Sequence, residues 1–584
     1  MPTPQNGGAV IAAALARAGV RHLFTLCGGH ISPILVECKR SGLAVVDVRD
    51  EGNAVFAADA VARMTGLPGV AAVTAGPGVT NSVTALKNAQ MAQSPVLVLG
   101  GATATILRGR GSLQDIDQLV LMRPLTKWAT RVTTLAALGP SVERALEGAV
   151  EGVPGPVFVE VPVDLLYPEA TVREWYLAES GVKNAKGLAA RALGLYLRAH
   201  LARQFHGPRL PALLEGAPLR PALPRLDPRP KVREVARRLR EARRPVLVIG
   251  SQALVNQRDP GRLAAAVRKL GVPAYLGGMA RGLLGRRDPI QFRHARGKAL
   301  KEADLVLVAG FPFDFRLGYG RGIGRRAFVA AANLSRAELR KNRRPQVAAL
   351  MHPADFLVDL AAEAGPAGGR DEWLATLRER EAARDAEIAR EAATPGELVN
   401  PLGFFLRLEE KMAEDAALVV DGGDFVATAA YTLRPRAPLS WLDPGVFGTL
   451  GVGGGYATGA ALVKPGREVW LVWGDGSSAY SLAEFDTFAR HGLAPIAVIG
   501  NDGSWQQIAR DQVEILGDDV GTVLARCDYH RVAEGYGGAG LLLTEDAKVD
   551  ETLDRAIALS RAGKPVCINV HVRRSDFRKG SLSM

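Results

Sequence analysis

Cysteine is scarce in this chain: four stand among 584 residues, at Cys27, Cys38, Cys527 and Cys567. Their spacing fits no metal-ligand pattern, and no zinc-ligand cluster of cysteine and histidine occurs. A disulfide-based scaffold is therefore excluded. We expect reduced thiols, as in a cytosolic (cytoplasmic) protein.

Long apolar runs are also missing. No run reaches the roughly 18 residues that a membrane-spanning helix needs, so no transmembrane segment is expected. The first twenty residues lack the basic start of a signal peptide, and their apolar part reads as an amphipathic helix. We therefore expect no cleaved leader.

Acidic residues are outnumbered: 73 lysines and arginines face 60 aspartates and glutamates, a formal charge of +13. A basic surplus attracts polyanions. The chain has no lysine tract and no helix-turn-helix signature, so no nucleic-acid partner is expected. Two interpretations remain, a solvated basic surface or a site for an anionic small molecule such as an acyl-CoA or a nucleotide.

The composition is 47% hydrophobic and 23% charged, which is typical of a soluble globular enzyme. Strands alternate with helices, which predicts an α/β fold of three doubly wound, parallel-sheet domains. We place these domains at residues 1–170, 230–365 and 396–584. A basic helical and proline-rich linker (171–229) and a helical connector (366–395) separate them.

The most informative stretch is a strand–helix–strand pattern near the carboxyl end. An apolar run (469–473) ends in the letters GDG, an amphipathic run follows, and a second apolar run (495–500) ends in NDG. This predicts a βαβ unit with parallel strands. The strand ends would face one crevice and make Asp475 and Asn501 neighbours.

A carboxylate and an amide oxygen, with glycines that let the backbone approach, suit Mg²⁺. Such a cation keeps open positions for phosphate oxygens. A plain strand–helix turn with a polar rim is the alternative interpretation of this stretch.

The pattern resembles the cofactor motif of thiamin diphosphate enzymes, Gly-Asp-Gly followed by Asn-Asn. The resemblance implies that Asp475, Asn501 and the carbonyl of Gly503 hold Mg²⁺, which in turn holds the diphosphate. Gly476 and Ser477 belong to the same cofactor-binding segment. The letter after Asn501 is an aspartate, where the family usually has its second asparagine.

A second candidate is Glu51, which follows an apolar strand (45–50) and begins an apolar helical run. A carboxylate in such a setting acquires the raised pKa that proton shuttling needs. A helix N-terminal carboxylate is the alternative. The segment resembles the one whose glutamate contacts the pyrimidine N1′ in these enzymes. The turn that follows the next strand resembles the one that lines the pyrimidine, which implies contacts from Thr74, Gly76 and Asn81.

A third match is "FGTLGVGGGYATGAAL" (447–462). The resemblance implies that the carbonyl of Gly448 and the amide of Leu450 bond the pyrimidine. Leu450 stands where related enzymes carry a methionine that bends the cofactor. The glycine run does not have the spacing of a dinucleotide fingerprint, and no acidic ribose partner follows it.

Across nearly the whole length the chain resembles the acetolactate synthase-like group, and 2-hydroxyacyl-CoA lyases in particular. The stretches that carry this resemblance include 24–35, 73–101, 276–286, 421–431 and 441–453. It implies cleavage of a 2-hydroxyacyl-CoA to formyl-CoA and a shortened aldehyde, reversible as a condensation. It also implies a homodimer or homotetramer with the sites at the dimer interface.

Three residues are candidates for catalysis: Glu51, Gln114 and His30. Gln114 matches a glutamine that reaches the reaction centre in related enzymes. His30 replaces a proline of many relatives. It is either the acceptor of the 2-hydroxyl proton or a turn residue bonded to backbone, and the cofactor's imino group is another acceptor. Ile31 and Ser32, in the same turn, are candidates for substrate binding.

Arginines are candidates for the phosphates of coenzyme A, by analogy with relatives that use it. They are Arg281 and either Arg434 or Arg436, and an ordinary surface arginine is the alternative for each. The basic tail (573–584) resembles a lid that closes over the site, with a frayed terminus as the alternative.

Other functions stay open at this point. An acetolactate synthase or an oxalyl-CoA decarboxylase-like enzyme is the nearest alternative. A non-catalytic interaction protein on the same fold is an alternative of another class. Whether the central domain holds ADP, FAD or no nucleotide is not decided by the sequence.

Overall fold

The computed structural model describes residues 6–180, 187–206, 229–257, 259–365 and 368–578. The predicted proline-rich part of the linker and the last residues of the predicted lid lie outside the described residues. The chain divides into two compact units: a first unit of residues 1–62 and 67–223, and a second unit of residues 63–66 and 224–584.

The first unit is built on a six-stranded sheet in which every neighbouring pair is parallel. Its strands are β1 (His22–Thr25), β2 (Ala44–Asp47), β3 (Gly69–Val73), β4 (Val96–Ala102), β5 (Trp128–Arg131) and β6 (Val157–Pro162), in the order β2-β1-β3-β4-β6-β5. Strands β3, β4 and β6 are buried throughout and apolar except for Glu160 of β6, as expected for parallel strands covered by helices on both faces.

The helices of the first unit alternate with these strands. They are α1 (Gly7–Arg17), α2 (Ser32–Arg40), α3 (Glu51–Thr65), α4 (Pro77–Asn81), α5 (Val83–Ala92), α6 (Gln118–Met122), α7 (Leu135–Val150), α8 (Val163–Leu166), α9 (Glu169–Glu179) and α10 (Leu188–Phe205).

The second unit contains two further parallel sheets. The central sheet has β7 (Pro245–Ile249), β8 (Ala274–Leu276), β9 (Gln291–Phe292), β10 (Leu305–Ala309), β11 (Phe328–Asn333) and β12 (Val347–Leu350), in the order β12-β11-β10-β7-β8-β9. This is the strand order of dinucleotide-binding doubly wound sheets. Its helices are α11 (Arg229–Glu241), α12 (Pro260–Leu270), α13 (Arg296–Glu302), α14 (Arg336–Leu339), α15 (Pro353–Ala364) and the connector α16 (Asp371–Ala392).

The third sheet repeats the plan of the first. It has β13 (Ala417–Asp421), β14 (Trp441–Leu442), β15 (Val469–Gly474), β16 (Ile496–Asn501), β17 (Ala539–Leu543) and β18 (Val566–His571), in the order β14-β13-β15-β16-β18-β17. Its helices are α17 (Pro401–Lys411), α18 (Asp424–Thr432), α19 (Gly453–Val463), α20 (Asp475–Ser478), α21 (Glu484–Arg490), α22 (Gln506–Leu516), α23 (Tyr529–Gly535) and α24 (Val549–Arg561).

The strand order of the first and third sheets reverses between β1 and β3 and between β13 and β15. In open α/β sheets a crevice for ligands opens at the carboxyl ends of the strands at such a reversal. The fold therefore provides one crevice in the first unit and one in the second. The predicted fold class, three doubly wound parallel sheets, is confirmed.

Within the described residues, no helix is both long and apolar enough to cross a membrane.

Candidate active site

The crevice of the third sheet brings Asp475 and Asn501 together. Strands β15 and β16 are paired through Gly474 and Gly500, so the two residues follow the same rung of the ladder. Their exposed fractions are 3% and 0%. Asp475 and Asn501 are therefore neighbours in the structure, as the βαβ pattern predicts.

Two backbone amides orient the carboxylate of Asp475. The Gly476 amide donates to Oδ1 and the Gly503 amide to Oδ2, both at 2.8 Å. Gly503 has φ +68°, in the region that favours glycine. Each carboxylate oxygen has two lone pairs, so one on each oxygen remains for a further ligand.

Two hydrogen bonds from its nitrogen fix the side-chain amide of Asn501. Nδ2 donates to the Cys527 carbonyl at 3.2 Å and to Asn569 Oδ1 at 3.1 Å. Its oxygen, Oδ1, is buried without a hydrogen-bond partner in the described chain. A buried acceptor is nearly always satisfied in folded proteins, and a cation would satisfy this one.

The charges of this crevice also fit a cation. Burial raises the pKa of Asp475, against the opposing effect of the amide hydrogen bonds. Burial and the Asp475 charge raise the pKa of Asp502 to about 7. The Gly503 carbonyl accepts from the Leu524 amide at 2.8 Å, which leaves its second lone pair. An oxygen-rich, electronegative pocket of this kind matches Mg²⁺.

A cavity of about 540 Å³, within the size range of cofactor sites, has Asp475 and Asp502 in its wall. Its walls include five of the predicted cofactor-binding residues, namely Gly448, Leu450, Asp475, Gly476 and Ser477. A Cβ on Gly476 would lie 2.4 Å from the ring of Trp505, another wall residue. Glycine is thus required at position 476 for the indole to sit against the backbone.

Ser477 lines the cavity, and its side chain also hydrogen-bonds to nearby backbone. Its hydroxyl donates to the Asp421 carbonyl at 2.6 Å, with the Gly474 carbonyl at 3.1 Å. The hydroxyl proton is therefore committed to the backbone, and the oxygen serves to lock the turn between β15 and α20.

Asp421, at the end of β13, was not singled out by the sequence reasoning. It is fully buried and accepts hydrogen bonds from the Gly451 and Gly453 amides and from Trp473 Nε1. Burial raises its pKa to about 7, against these three donors. Asp421 therefore fixes the loop that carries Gly448 and Leu450. A lone carboxylate after an apolar strand and before two glycines was the signal that could have found it.

In the first unit, Glu51 begins α3 and is 6% exposed. Its Oε2 accepts from Asn81 Nδ2 at 3.0 Å. A Cβ on Gly78 would lie 3.3 Å from Glu51 Oε1 and 3.0 Å from Thr74 Cγ2. The turn after β3 therefore places Glu51, Thr74 and Asn81 around one glycine.

The turns after β1 and β3 meet at the sheet reversal. The ring of His30 lies 3.5 Å from Thr74 Oγ1 and has a side-chain hydrogen bond with Gln114. Burial lowers the pKa of His30, and the bond to Gln114 opposes this. A Cβ on Gly76 would lie 2.9 Å from the Gln114 carbonyl. The structure thus brings together His30, Thr74, Gly76 and Gln114.

Gln118 is a second residue that sequence reasoning missed. It is buried, accepts from the Gly76 amide at 2.9 Å and donates to the Gly101 carbonyl at 3.0 Å. It therefore fixes the turn that carries Gly76. No feature of the sequence distinguishes it from Gln114, four residues earlier.

The two remaining candidates of this turn differ. Ile31 has no exposed surface and belongs to the apolar core of the first unit. Ser32 is half-buried and its hydroxyl donates to the Gly28 carbonyl at 3.1 Å. Their roles in substrate binding stay predictions.

Arg281 stands at the meeting point of two cavities of the second unit. It lines the cavity of Asp475 and a second cavity of about 670 Å³, whose walls include Arg293, Arg296 and Tyr431. Its guanidinium lies 4.7 Å from the Trp441 ring and donates to the Ala430 carbonyl at 2.9 Å.

Arg434 and Arg436 have different surroundings. Arg434 is partly exposed and donates to Asp385 at 3.1 Å. Burial alone would raise the pKa of Asp385, but His294, Arg293 and Arg434 together lower it. The side chain of Arg436 is fully buried against Glu409, which makes it a structural residue.

The described part of the predicted lid reaches the second cavity. Phe577 packs edge-on against Tyr431 with ring centroids 5.7 Å apart, and Arg578 lies over the same ring at 4.6 Å. The closing movement itself stays a prediction.

Three models of one protein family match the chain. They are described as the N-terminal TPP binding domain (residues 5–121), the central domain (232–360) and the C-terminal TPP binding domain (421–570) of thiamine pyrophosphate enzymes. The two TPP-binding matches contain the two crevices described above. The chain belongs to the family of thiamine pyrophosphate (thiamin diphosphate) enzymes.

Within this family the chain is similar to proteins named 2-hydroxyacyl-CoA lyase 2. It is 47% identical to the protein of Caenorhabditis elegans over 592 aligned residues, which cover 99% of this chain and 91% of that protein. It is 46% identical to the protein of Homo sapiens over 587 residues, 99% and 92% of the two chains. A probable acetolactate synthase of Mycobacterium bovis is 34% identical over 574 residues, 97% and 95%. The resemblance stated from the sequence is confirmed.

Proposed function

We propose that this protein is a thiamin diphosphate-dependent 2-hydroxyacyl-CoA lyase. It would cleave a 2-hydroxyacyl-CoA between C1 and C2 to formyl-CoA and an aldehyde, and would run in reverse as a condensation. The observation that carries the cofactor assignment is the buried, partnerless Asn501 Oδ1 beside Asp475. The substrate assignment rests on the similarity to proteins of that name.

The residues of the third sheet would hold the cofactor by its diphosphate. Asp475, Asn501 and the Gly503 carbonyl are the proposed ligands of Mg²⁺, and Mg²⁺ would bridge to the phosphate oxygens. Gly476 and Ser477 form the turn against which the diphosphate would lie. Thiamin diphosphate, once bound, supplies a nucleophilic carbon and an electron sink for the C–C bond.

Glu51 is the proposed acid/base toward the pyrimidine N1′, and it works from a nearly solvent-free position. Asn81 orients its carboxylate. The pyrimidine ring, whose N1′ Glu51 would contact, would be held by Thr74, Gly76, Gly448 and Leu450. Since Glu51 is in the first unit and Asp475 in the second, we propose a homodimer, or a homotetramer built of two such dimers, in which each site takes one of these residues from each protomer.

His30 and Gln114 are proposed to act on the substrate. A lowered pKa keeps the His30 ring neutral at pH 7, so that it can accept the proton of the 2-hydroxyl as the aldehyde forms. Gln114, bonded to His30, can donate its amide hydrogens to the thioester oxygen. Ser32 would line the acyl chain, and Ile31 would support the same turn from the apolar core.

Arg281 and Arg434 are proposed to bind the phosphates of coenzyme A. Both are cationic, and Arg281 lies where the two cavities of the second unit meet. Whether the central sheet also binds ADP or FAD stays open, although its strand order is that of dinucleotide-binding sheets. A cytoplasmic location stays a prediction.

The test is turnover of a 2-hydroxyacyl-CoA, with aldehyde and formyl-CoA followed by mass spectrometry. The reaction should require added thiamin diphosphate and Mg²⁺, and the reverse condensation should be seen with formyl-CoA and an aldehyde. Product formation that is unchanged without either cofactor would contradict the proposal.

Two rival activities are assayed in parallel, because a probable acetolactate synthase is 34% identical to the chain. Faster formation of acetolactate from pyruvate would replace the lyase assignment with that of a synthase. Faster decarboxylation of oxalyl-CoA would replace it with that of a decarboxylase. No turnover of any of these substrates by cofactor-loaded protein would favour an interaction protein on the same fold.

A further inference from the structure

Within the described residues, helix α10 packs on the rest of the first unit by one face. Gly194, Leu197, Leu201 and Gln204 are buried on that face. Leu197 and Leu201 belong to a small apolar cluster that is completed by Ala104, Val172 and Tyr176. Among the described residues, this face provides the apolar contacts that attach the helix.

A buried polar network fixes the helix in place. Asp164 Oδ2 accepts from Gln204 Nε2 at 2.6 Å and from Thr105 Oγ1 at 2.6 Å. His200 Nε2 lies 2.9 Å from the same Thr105 hydroxyl. Because two helix residues bond to groups of the first unit, the opposite face is presented in a fixed orientation.

That opposite face is apolar as well. Its members share one side of the helix by their spacing of three, four, seven or eight residues, and we call them the outer stripe: Leu188, Ala192, Leu195, Tyr196 and Ala199. Leu188 is 85% exposed, Leu195 65% and Tyr196 55%, so the described chain leaves the stripe open. A surface helix normally carries polar residues there.

The charges of α10 are of one sign. Residues 188–205 contain Arg191, Arg198 and Arg203 and no aspartate or glutamate. At 100° per residue, Arg191 and Arg198 border the outer stripe on one edge, and Arg203 lies on the stripe itself, between Ala192 and Tyr196 in angle. Long arginine side chains extend from such edges toward phosphate groups while their stems stay on apolar surface.

We propose that the outer stripe docks on an anionic lipid surface. Leucines that project from a fixed helix can enter the acyl boundary, Tyr196 suits the interface, and the bordering arginines meet the headgroup phosphates. Charge complementarity selects this occupant, because two arginines border the stripe on one edge, a third lies on it, and α10 carries no anion. The proposal concerns the first unit and does not depend on the reaction catalysed.

The test is flotation of the full-length protein with vesicles of phosphatidylcholine alone or with phosphatidylserine added. The protein should float with the anionic vesicles and stay in solution with the neutral ones, and added salt should release it. Protein that stays in solution with both kinds of vesicle would overturn the proposal.

Two pairs of substitutions separate the apolar and the charged contributions. Leu188→Gln with Leu195→Gln should weaken vesicle binding at least about tenfold, since exposed leucines are lost from the boundary region. Arg191→Gln with Arg198→Gln should weaken it about 30-fold. All four side chains are exposed, so the variants should keep the parent's circular dichroism and thermal midpoint.

Matched controls lie in the second unit. Leu542→Gln removes an exposed leucine of β17, and Arg555→Gln with Arg561→Gln removes the same charge from α24. Both controls should bind vesicles as the parent does. Equal binding by the leucine pair and the parent would overturn the proposal. So would a drop in the molecular mass of the leucine pair in light scattering, because the outer stripe would then be a contact between copies of the chain.

Discussion

Asp475 and Asn501 lie side by side at the carboxyl ends of two hydrogen-bonded strands, and both are almost fully buried. Every oxygen of Asp475 is held by a backbone amide, whereas the oxygen of Asn501 has no hydrogen-bond partner in the described chain. This asymmetry is what a metal site needs, since one ligand is orientated and the other is free to coordinate. The account of cofactor binding rests on it.

Removal of the carboxylate should therefore abolish cofactor binding. In Asp475→Ala we expect the affinity for thiamin diphosphate at saturating Mg²⁺ to fall by more than about 100-fold, because a ligand of the metal is lost. Titration calorimetry measures this without turnover. Asp554→Ala, which removes an exposed partner of Lys411, should bind as the parent does. Retained affinity in Asp475→Ala would remove this residue from the site.

Glu51 should matter for turnover and not for binding. Glu51→Gln keeps an oxygen that can accept from Asn81, so the fold should be unchanged. It loses the proton-transfer function, and we expect kcat to fall about 10²–10⁴-fold. The check is kcat together with cofactor affinity, with Glu143→Gln, a partner of Arg17, as the control. A variant as active as the parent would contradict the role of Glu51.

The role of His30 predicts a pH dependence. Burial lowers its pKa below the ordinary 6.5, so the neutral base persists until the pH falls through that lower value. The acidic limb of kcat/KM should therefore lie below pH 6.5. In His30→Gln that limb should be lost and the rate should fall about 10²-fold. A limb above pH 6.5, or an unchanged profile in the variant, would contradict this role.

The lowered pKa of His30 also makes the stability of the folded protein depend on pH. Below pH 6.5 the unfolded chain binds a proton at His30 before the folded chain does, so this residue favours unfolding as the pH falls. His30→Gln should therefore reduce the loss of thermal stability between pH 6.5 and the lower folded pKa. Melting curves of parent and variant across that interval measure it.

Close packing at the cofactor turn predicts a contrast between two glycines. A Cβ on Gly476 would meet the ring of Trp505 at 2.4 Å, so Gly476→Ala should destabilise the protein by about 1–3 kcal/mol and weaken cofactor binding. No atom of the described residues lies within 4 Å of a Cβ on Gly535, at the end of α23, so Gly535→Ala should be neutral or slightly stabilising. Thermal midpoints of the two variants measure the difference. Equal midpoints would show that Trp505 moves aside without cost.

The strands could be predicted where apolar runs are long and end in glycine. The runs at 469–473 and 495–500 correspond to β15 and β16, and Glu51 begins α3 as expected. The predicted strand 45–50 ends at Asp47, and the chain bends at Arg49 and Asp50 before α3 begins. The half-buried β5 has no clear apolar pattern, so its place at the edge of the sheet is set by tertiary pairing with β6.

Part of the candidate site could also be predicted from local sequence patterns. Short motifs mark the turns that carry Asp475 and Glu51, because those turns need glycine and acidic residues close together in the sequence. The supports of the turns are distant in sequence. Asp421 bonds the amides of Gly451 and Gly453, and Gln118 bonds that of Gly76, through contacts that only the folded sheet creates.

A crystal structure of the full chain with thiamin diphosphate and Mg²⁺ tests the central claim most directly. We predict an octahedral ion bound by Asp475, by Asn501 Oδ1 and by the carbonyl of Gly503, with Glu51 of the partner subunit within hydrogen-bond reach of the pyrimidine N1′. An ion held elsewhere, or a ring whose N1′ no glutamate at position 51 can reach, would contradict the account.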